Sequence, residues 1–187
     1  MQLLSYESCS LDVLHDTRSE TVAALYAASI GIRDDLAQVM RIAAAQAGAD
    51  AAAISLRHDH VVVMAAAHGV PDRLSRGAAV PAAWSPCSRI TTSDRPLLIG
   101  DLQQERFGFF PGSAVLGTLR SYAGVPLRHA GHVVGAVCVV ANDPHVFSTA
   151  TLASLSQAGA KVLRMMIGYA EPTTPSGVLS ARSASSE

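Results

Sequence analysis

Two spacings of apolar residues alternate along the chain. Between residues 17 and 48 the apolar side chains recur three and four positions apart, which places them on one face of a helix. Thr17 and Glu20 have the spacing of a capping box, and Val22, Leu25, Tyr26 and Ser29 follow with helical period up to Gly31. A second helix is predicted after Asp34 and Asp35, whose carboxylates suit a helix N-terminus. Its stripe of Leu36, Val39, Met40, Ala43 and Ala47 closes at Gly48.

From residue 51 the pattern changes to short apolar runs of strand length. "DAAAISLR" and "VVVMAAAH" flank the polar His58, Asp59 and His60 and read as a hairpin, which Gly69 and Pro71 end. "DRLSRGAAVP" reads as a loop. In "SPCSRITTSD" Ser85 is placed to cap a short helix with Pro86 at its first position. "RPLLIGD" is a short strand, and "LQQERFGFFPGSAVLGT" a long mixed connection. "LRSYAGVPL" and "HVVGAVCVV" form a second strand pair across "RHAG". Ser148 then starts a last helix whose apolar face carries Leu152, Leu155, Gly159, Val162, Leu163 and Met166.

Short turns between successive strands imply an antiparallel sheet, and helices at both ends of the chain must cover one of its faces. The expected fold is therefore α+β, with the midsection covering the other face. The boundaries expected are an N-terminal extension over residues 1–16, one domain over 17–170, and a disordered tail rich in Pro, Ser and Thr over 171–187.

Composition narrows the function classes. The chain of 187 residues is 49% hydrophobic and 16% charged with a formal net charge of -1, so it has a substantial core and no basic field for nucleic acid or an anionic membrane. No basic segment precedes a long apolar run, and three unevenly spaced cysteines make no disulfide framework, which together suggest the cytoplasm.

The segment "YAGVPLRHAGHVVGAVCVVANDPHVFSTATLASL" resembles the last two strands and terminal helix of a GAF domain. "RPLLIGDLQQERF" resembles that family's third strand and Asp-Leu loop, and "AAHGVP" the end of its second strand. The resemblance spans roughly Asp34 to Gly168. It implies a GAF/PAS-like antiparallel sheet of five or six strands, terminal helices on one face, and a small-molecule pocket on the other under the middle helices and loops. Here those would be Trp84 to Thr92 and Asp101 to Gly117. The candidate ligand-binding residues are Trp84, Cys87, Asp101, Phe107, Phe109, Arg120 and Tyr122. Phenylalanines beside charged groups suit an apolar cavity with a few orienting contacts, or else plug it. Arg120 and Tyr122 share one face of their strand by period two.

Cys87 has two readings. In the first turn of a helix, oriented N–H groups favour a thiolate; equally, a cysteine there can pack as a small buried residue. Free methionine sulfoxide reductases are GAF enzymes with a cysteine at a similar distance before their Asp-Leu. Their chemistry needs further thiols, the connection after Asp101 has none, and Cys138 reads as core, so catalysis is the weaker reading. Cyclic-nucleotide GAF domains resemble an Asn-Lys...Phe-x3-Asp-Glu pattern; here Asp143 replaces the lysine and Thr151-Leu152 the acidic pair. Tetrapyrrole binding lacks a close match at Cys87.

His58, His60, His129 and His132 fall at turns without further ligands for a metal. His68, at a strand end, is the histidine nearest the expected pocket. The expectation is a free-standing sensory domain that binds a small molecule, its cofactor unidentified, and signals through a homodimer built on Val22–Tyr26 and Val162–Met166 or through a protein partner. The alternatives are redox chemistry at Cys87, as sensor or degenerate reductase, and an assembly module with a self-filled pocket.

Overall fold

The computed structural model describes residues 6–71, 78–103, 119–145 and 147–170, with side chains from residue 17 onward. Two helices open it, α1 (Tyr6–Gly31) and α2 (Arg33–Ala47). The hairpin β1 (Ala51–His58) and β2 (Val61–His68) follows, then β3 (Ala79–Pro81), a 3-10 turn (Ala82–Trp84) and α3 (Pro86–Ser93). Next come β4 (Leu97–Ile99), β5 (Ser121–His129), β6 (His132–Ala141) and α4 (Thr149–Ala170). The six strands form one antiparallel sheet in the order β3-β2-β1-β6-β5-β4.

Most local signals match. Gly48 ends α2 in the left-handed conformation, at φ 62, and its N–H reaches the Ala44 and Ala45 carbonyls. Asp34 and Asp35 lie in the first turn of α2. The Ser148 hydroxyl accepts the Thr151 N–H at 3.2 Å, capping α4. Two elements differ from expectation. Helix α1 begins at Tyr6, so Thr17 and Glu20 lie inside it; residues 6–20 contain neither glycine nor proline, and nothing there interrupts helical hydrogen bonding. The end of the segment read as a loop, Ala79–Pro81, pairs with Val61–Val63 as an edge strand, where proline's missing N–H costs no ladder bond.

The central strand β6 is buried on both faces from Val134 to Ala141. Side chains of one parity, including Ala52, Ile54, Leu56, Val125, Leu127, Val137 and Val139, form the main core with Val22, Leu25, Leu36, Met40, Leu155, Val162 and Met166 of the helices. Gly159 faces the sheet, and a Cβ there would make ordinary contacts at 3.5 Å to Val137 and 3.6 Å to Leu127. Each large aliphatic side chain buried here contributes about 1.5–3 kcal/mol. Val22, Val162 and Met166 are thereby taken up by the chain's own core. No helix among the described residues is long and apolar enough to cross a membrane.

Candidate functional site

The opposite parity of the sheet presents small residues. Ala51 and Ala53 of β1 and Ala136 of β6 leave a shallow depression, which α3 and the 3-10 turn cover. Ser85 is extended and Pro86 takes the first helical position, so α3 starts abruptly and turns Cys87 and Ile90 down onto the sheet. Cys138 lies below. Its cross-strand neighbours are Ala53 and Gly124, and their small size makes room for the helix. A Cβ on Gly124 would come within 2.6 Å of both the Ile90 side chain and the Tyr122 hydroxyl.

A cavity of about 60 Å³ remains between sheet and helix, walled by Ala53, Ser55, Met64, Trp84, Cys87, Leu119, Tyr122 and Cys138 among others. On the outer side of α3 a larger groove, about 730 Å³ and open to solvent, runs past Arg57, His60, Ser88, Arg89 and Thr92. The cavity under α3 is the better binding site, since it is less open than the groove and shields a ligand more fully from water.

Three of the residues singled out from sequence, Trp84, Cys87 and Tyr122, wall this cavity. Asp101 and Arg120 do not; they hold each other. Asp101 Oδ1 accepts the Arg120 Nε–H at 2.9 Å and Oδ2 accepts from Nη2 at 2.6 Å, while Oδ1 also accepts the Gln103 N–H at 3.0 Å. The pair pins the chain leaving β4 to the start of β5, and the carboxylate holds the Arg120 pKa above its ordinary value. Phe107 and Phe109, with Arg106 and Phe110, lie outside the described residues. His68 sits opposite Ala52 at the end of β2, away from the cavity wall. His58 approaches Asp59 at 3.4 Å on the hairpin tip. Among the described residues no group of three or more His, Cys, Asp or Glu side chains gathers to hold a metal.

The polar chemistry of the cavity is concentrated on two sulfurs and a phenol. Cys87 Sγ lies 3.3 Å from the Tyr122 hydroxyl and 4.0 Å from Cys138 Sγ, with all three residues buried. Hydrogen bonding from Cys138 pulls the Cys87 thiol down to about 6 against the opposing effect of burial, helped by Ser55, Tyr122 and Ser85. Ser55 has one proton to give, and the Ala136 carbonyl at 3.4 Å competes for it. Cys138, which keeps its proton to donate, is pushed well up, and so is Tyr122, chiefly by burial. The cavity can thus hold a nucleophilic thiolate beside a second thiol.

Sequence reasoning missed three residues that shape this site. Arg57 reaches from β1 to α3, where Nη1 lies 3.3 Å from the Ser88 carbonyl, 3.1 Å from Thr91 Oγ1 and 2.5 Å from Thr92 Oγ1. Burial and the neighbouring Arg18 lower its pKa from the ordinary value. Ser55 walls the cavity on the same strand face, and the period-two run Ala53, Ser55, Arg57 was the signal that could have found both. Cys138 was read as core only. Nothing local distinguishes it, because both faces of β6 are buried and the sulfur contact depends on α3.

The fold is shared with solved structures of low sequence identity. A type II free methionine-R-sulfoxide reductase from Thermoplasma acidophilum superposes with TM-score 0.62 at 14% identity, covering 76% of this chain and 96% of that one. The GAF domain of an Acinetobacter phosphoenolpyruvate-protein phosphotransferase gives TM-score 0.62 at 14% identity, covering 83% and 94%. The blue-light absorbing PixJ GAF domain of Thermosynechococcus elongatus gives 0.60 at 14%, covering 75% and 89%. No curated protein matches the sequence significantly. The sequence profile described as GAF domain matches residues 33–164, which run from the start of α2 into the last turns of α4 and so take in the whole sheet and its lid. The chain belongs to the GAF domain family.

Proposed function

We propose that this protein is a sensory GAF domain that binds a small molecule between the sheet and α3. The observation that carries this reading is the partly closed, largely apolar cavity against Trp84, Cys87 and Tyr122, which has a few polar groups to orient a guest. Its size dictates a mechanism. Sites for drug-sized ligands measure about 300–1,000 Å³, against about 60 Å³ here. A metabolite therefore enters only if α3 and the 3-10 turn lift from the sheet, so that occupancy and lid position are the same event. Arg57, bonded to the outer turns of α3, sets the cost of lifting. Output passes to a second copy of the chain or to a protein partner over the outward sides of the terminal helices, where Ile30 and Tyr169 are exposed.

The test is a thermal-shift screen of the purified protein against small metabolites, joined to native mass spectrometry for any retained compound. A ligand of this site raises the midpoint with concentration, and ligand present at about 100 Kd adds about 2.7 kcal/mol. Val80→Trp, which fills the cavity from the edge strand, removes the shift. A panel-wide absence of shift with no retained compound, or a shift that survives Val80→Trp, would count against the site.

A further inference from the structure

We propose that Cys87 and Cys138 form a peroxide-reactive dithiol that closes to a disulfide and clamps α3 onto β6. The proposal stands on the meeting of two free sulfurs from distant parts of the chain, 4.0 Å apart, with the cavity beside both. It does not rest on the metabolite reading. The two differ in the guest they need: a space of about 60 Å³ is far below the about 300–1,000 Å³ of sites for drug-sized ligands and suits a peroxide better than a bulkier substrate.

The chemistry balances with a small hydroperoxide as oxidant. The Cys87 thiolate attacks one peroxide oxygen, the S–O bond forms as the O–O bond breaks, and the departing hydroxide takes up a proton to become water. The sulfur loses two electrons and the peroxide gains them. Cys138 sulfur then attacks the Cys87 sulfenic acid; the S–S bond forms, the S–O bond breaks, and the leaving hydroxide carries off the Cys138 proton as a second water. Two thiols and one peroxide thus become one disulfide and two waters.

The surroundings assign the roles. Cys87 sits in the first turn of α3 with the Tyr122 hydroxyl 3.3 Å from its sulfur, a donor that supports the attacking thiolate, and the acidity of its thiol agrees. Cys138 is the resolving thiol because it lies on the strand held from both sides by β1 and β5. A disulfide needs the sulfurs about 2.05 Å apart. The eight-residue α3 therefore moves toward the sheet, drawing the lid down where a metabolite would lift it.

The experiment treats the intact, reduced protein with hydrogen peroxide, blocks free thiols under denaturing conditions and maps the peptides by mass spectrometry. The expected result is a linked pair of peptides containing Cys87 and Cys138, lighter by about 2 Da than the two unlabelled reduced peptides together, with Cys9 still free and full reversal by a thiol reductant. Cys138→Ser should stop at a sulfenic acid on Cys87, trapped as a dimedone adduct, while Cys9→Ser should behave as the wild type. Relative to its rate with free cysteine, tert-butyl hydroperoxide should react at least about tenfold more slowly than hydrogen peroxide, because its bulk is poorly admitted by so small a cavity. Three free thiols after peroxide, or a disulfide involving Cys9, overturns the proposal in the wild-type protein whatever the variants do. Equal selectivity toward the two peroxides overturns the role of the cavity.

Discussion

Replacing Arg57 by methionine removes the hold of β1 on the lid, together with the bond from Nε to the Asp59 carbonyl at 3.3 Å inside the hairpin turn. Methionine keeps an apolar stem of similar reach and removes only the guanidinium. Nη1 faces three acceptors, the Ser88 carbonyl and the hydroxyls of Thr91 and Thr92, but carries two protons, so at most two of these bonds are fully made at once. Hydrogen bonds from a charged group contribute about 1.5–3 kcal/mol each in sheltered sites. Arg57 is only half-buried, and solvent competes for both bonds, so the loss for the pair falls to about 1–2 kcal/mol. In a local-opening equilibrium that is about 5–30-fold. Native-state hydrogen exchange reads it directly: amides of α3 and of its C-cap Asp94, which donates to the Ile90 carbonyl at 2.9 Å, should exchange about 5–30-fold faster, while those of α2 and α4 hold their rates. Unchanged exchange in α3 would refute the latch. A rise spread equally over all helices would refute it too, since that would be loss of global stability.

Three further outcomes follow from the same geometry. The thiolate of Cys87 is the reactive form, and with its pKa lowered to about 6 the thiol is protonated below that pH and ionised above it. Its reaction with a small methanethiosulfonate should therefore be flat above about pH 7 and fall about tenfold per unit well below pH 6, outpacing Cys9 and Cys138 at neutral pH; Tyr122→Phe should move the profile upward, and an ordinary thiol profile near pH 8–9 would contradict the assignment. Asp101→Ala leaves Arg120 and the Gln103 N–H without their acceptor and should cost about 1–3 kcal/mol in urea titration, more than Arg120→Met, whose side chain is the more exposed of the pair; equal losses would mean the carboxylate does nothing beyond the ion pair. Gly135→Ala puts a Cβ 2.0 Å from the Ser55 carbonyl oxygen, so β1 and β6 must separate locally, a loss of about 1–3 kcal/mol that an unchanged denaturation midpoint would disprove.

What the sequence determined by itself are the elements and their order. Helical spacing at Leu36, Val39, Met40 and Ala43 and at Leu155, Val162 and Met166 marks the faces that the structure buries, because a repeat of 3.6 is a local property of the chain. The hairpin turns at Asp59 and at Ala130-Gly131, and the start of α3 at Ser85-Pro86, are equally local, since each depends on the backbone preferences of two or three residues. From those elements the antiparallel α+β layering followed. The tertiary structure alone decided the length of β3, which exists because β2 offers it a ladder. It alone paired Asp101 with Arg120 across 19 positions of sequence and brought Arg57 to Thr91 and Thr92. Above all it decided what Cys138 is. A strand buried on both faces does not reveal which neighbour each side chain meets; that depends on register, and here the register sets Ala53 and Gly124 beside Cys138 and leaves the space into which α3 lowers Cys87.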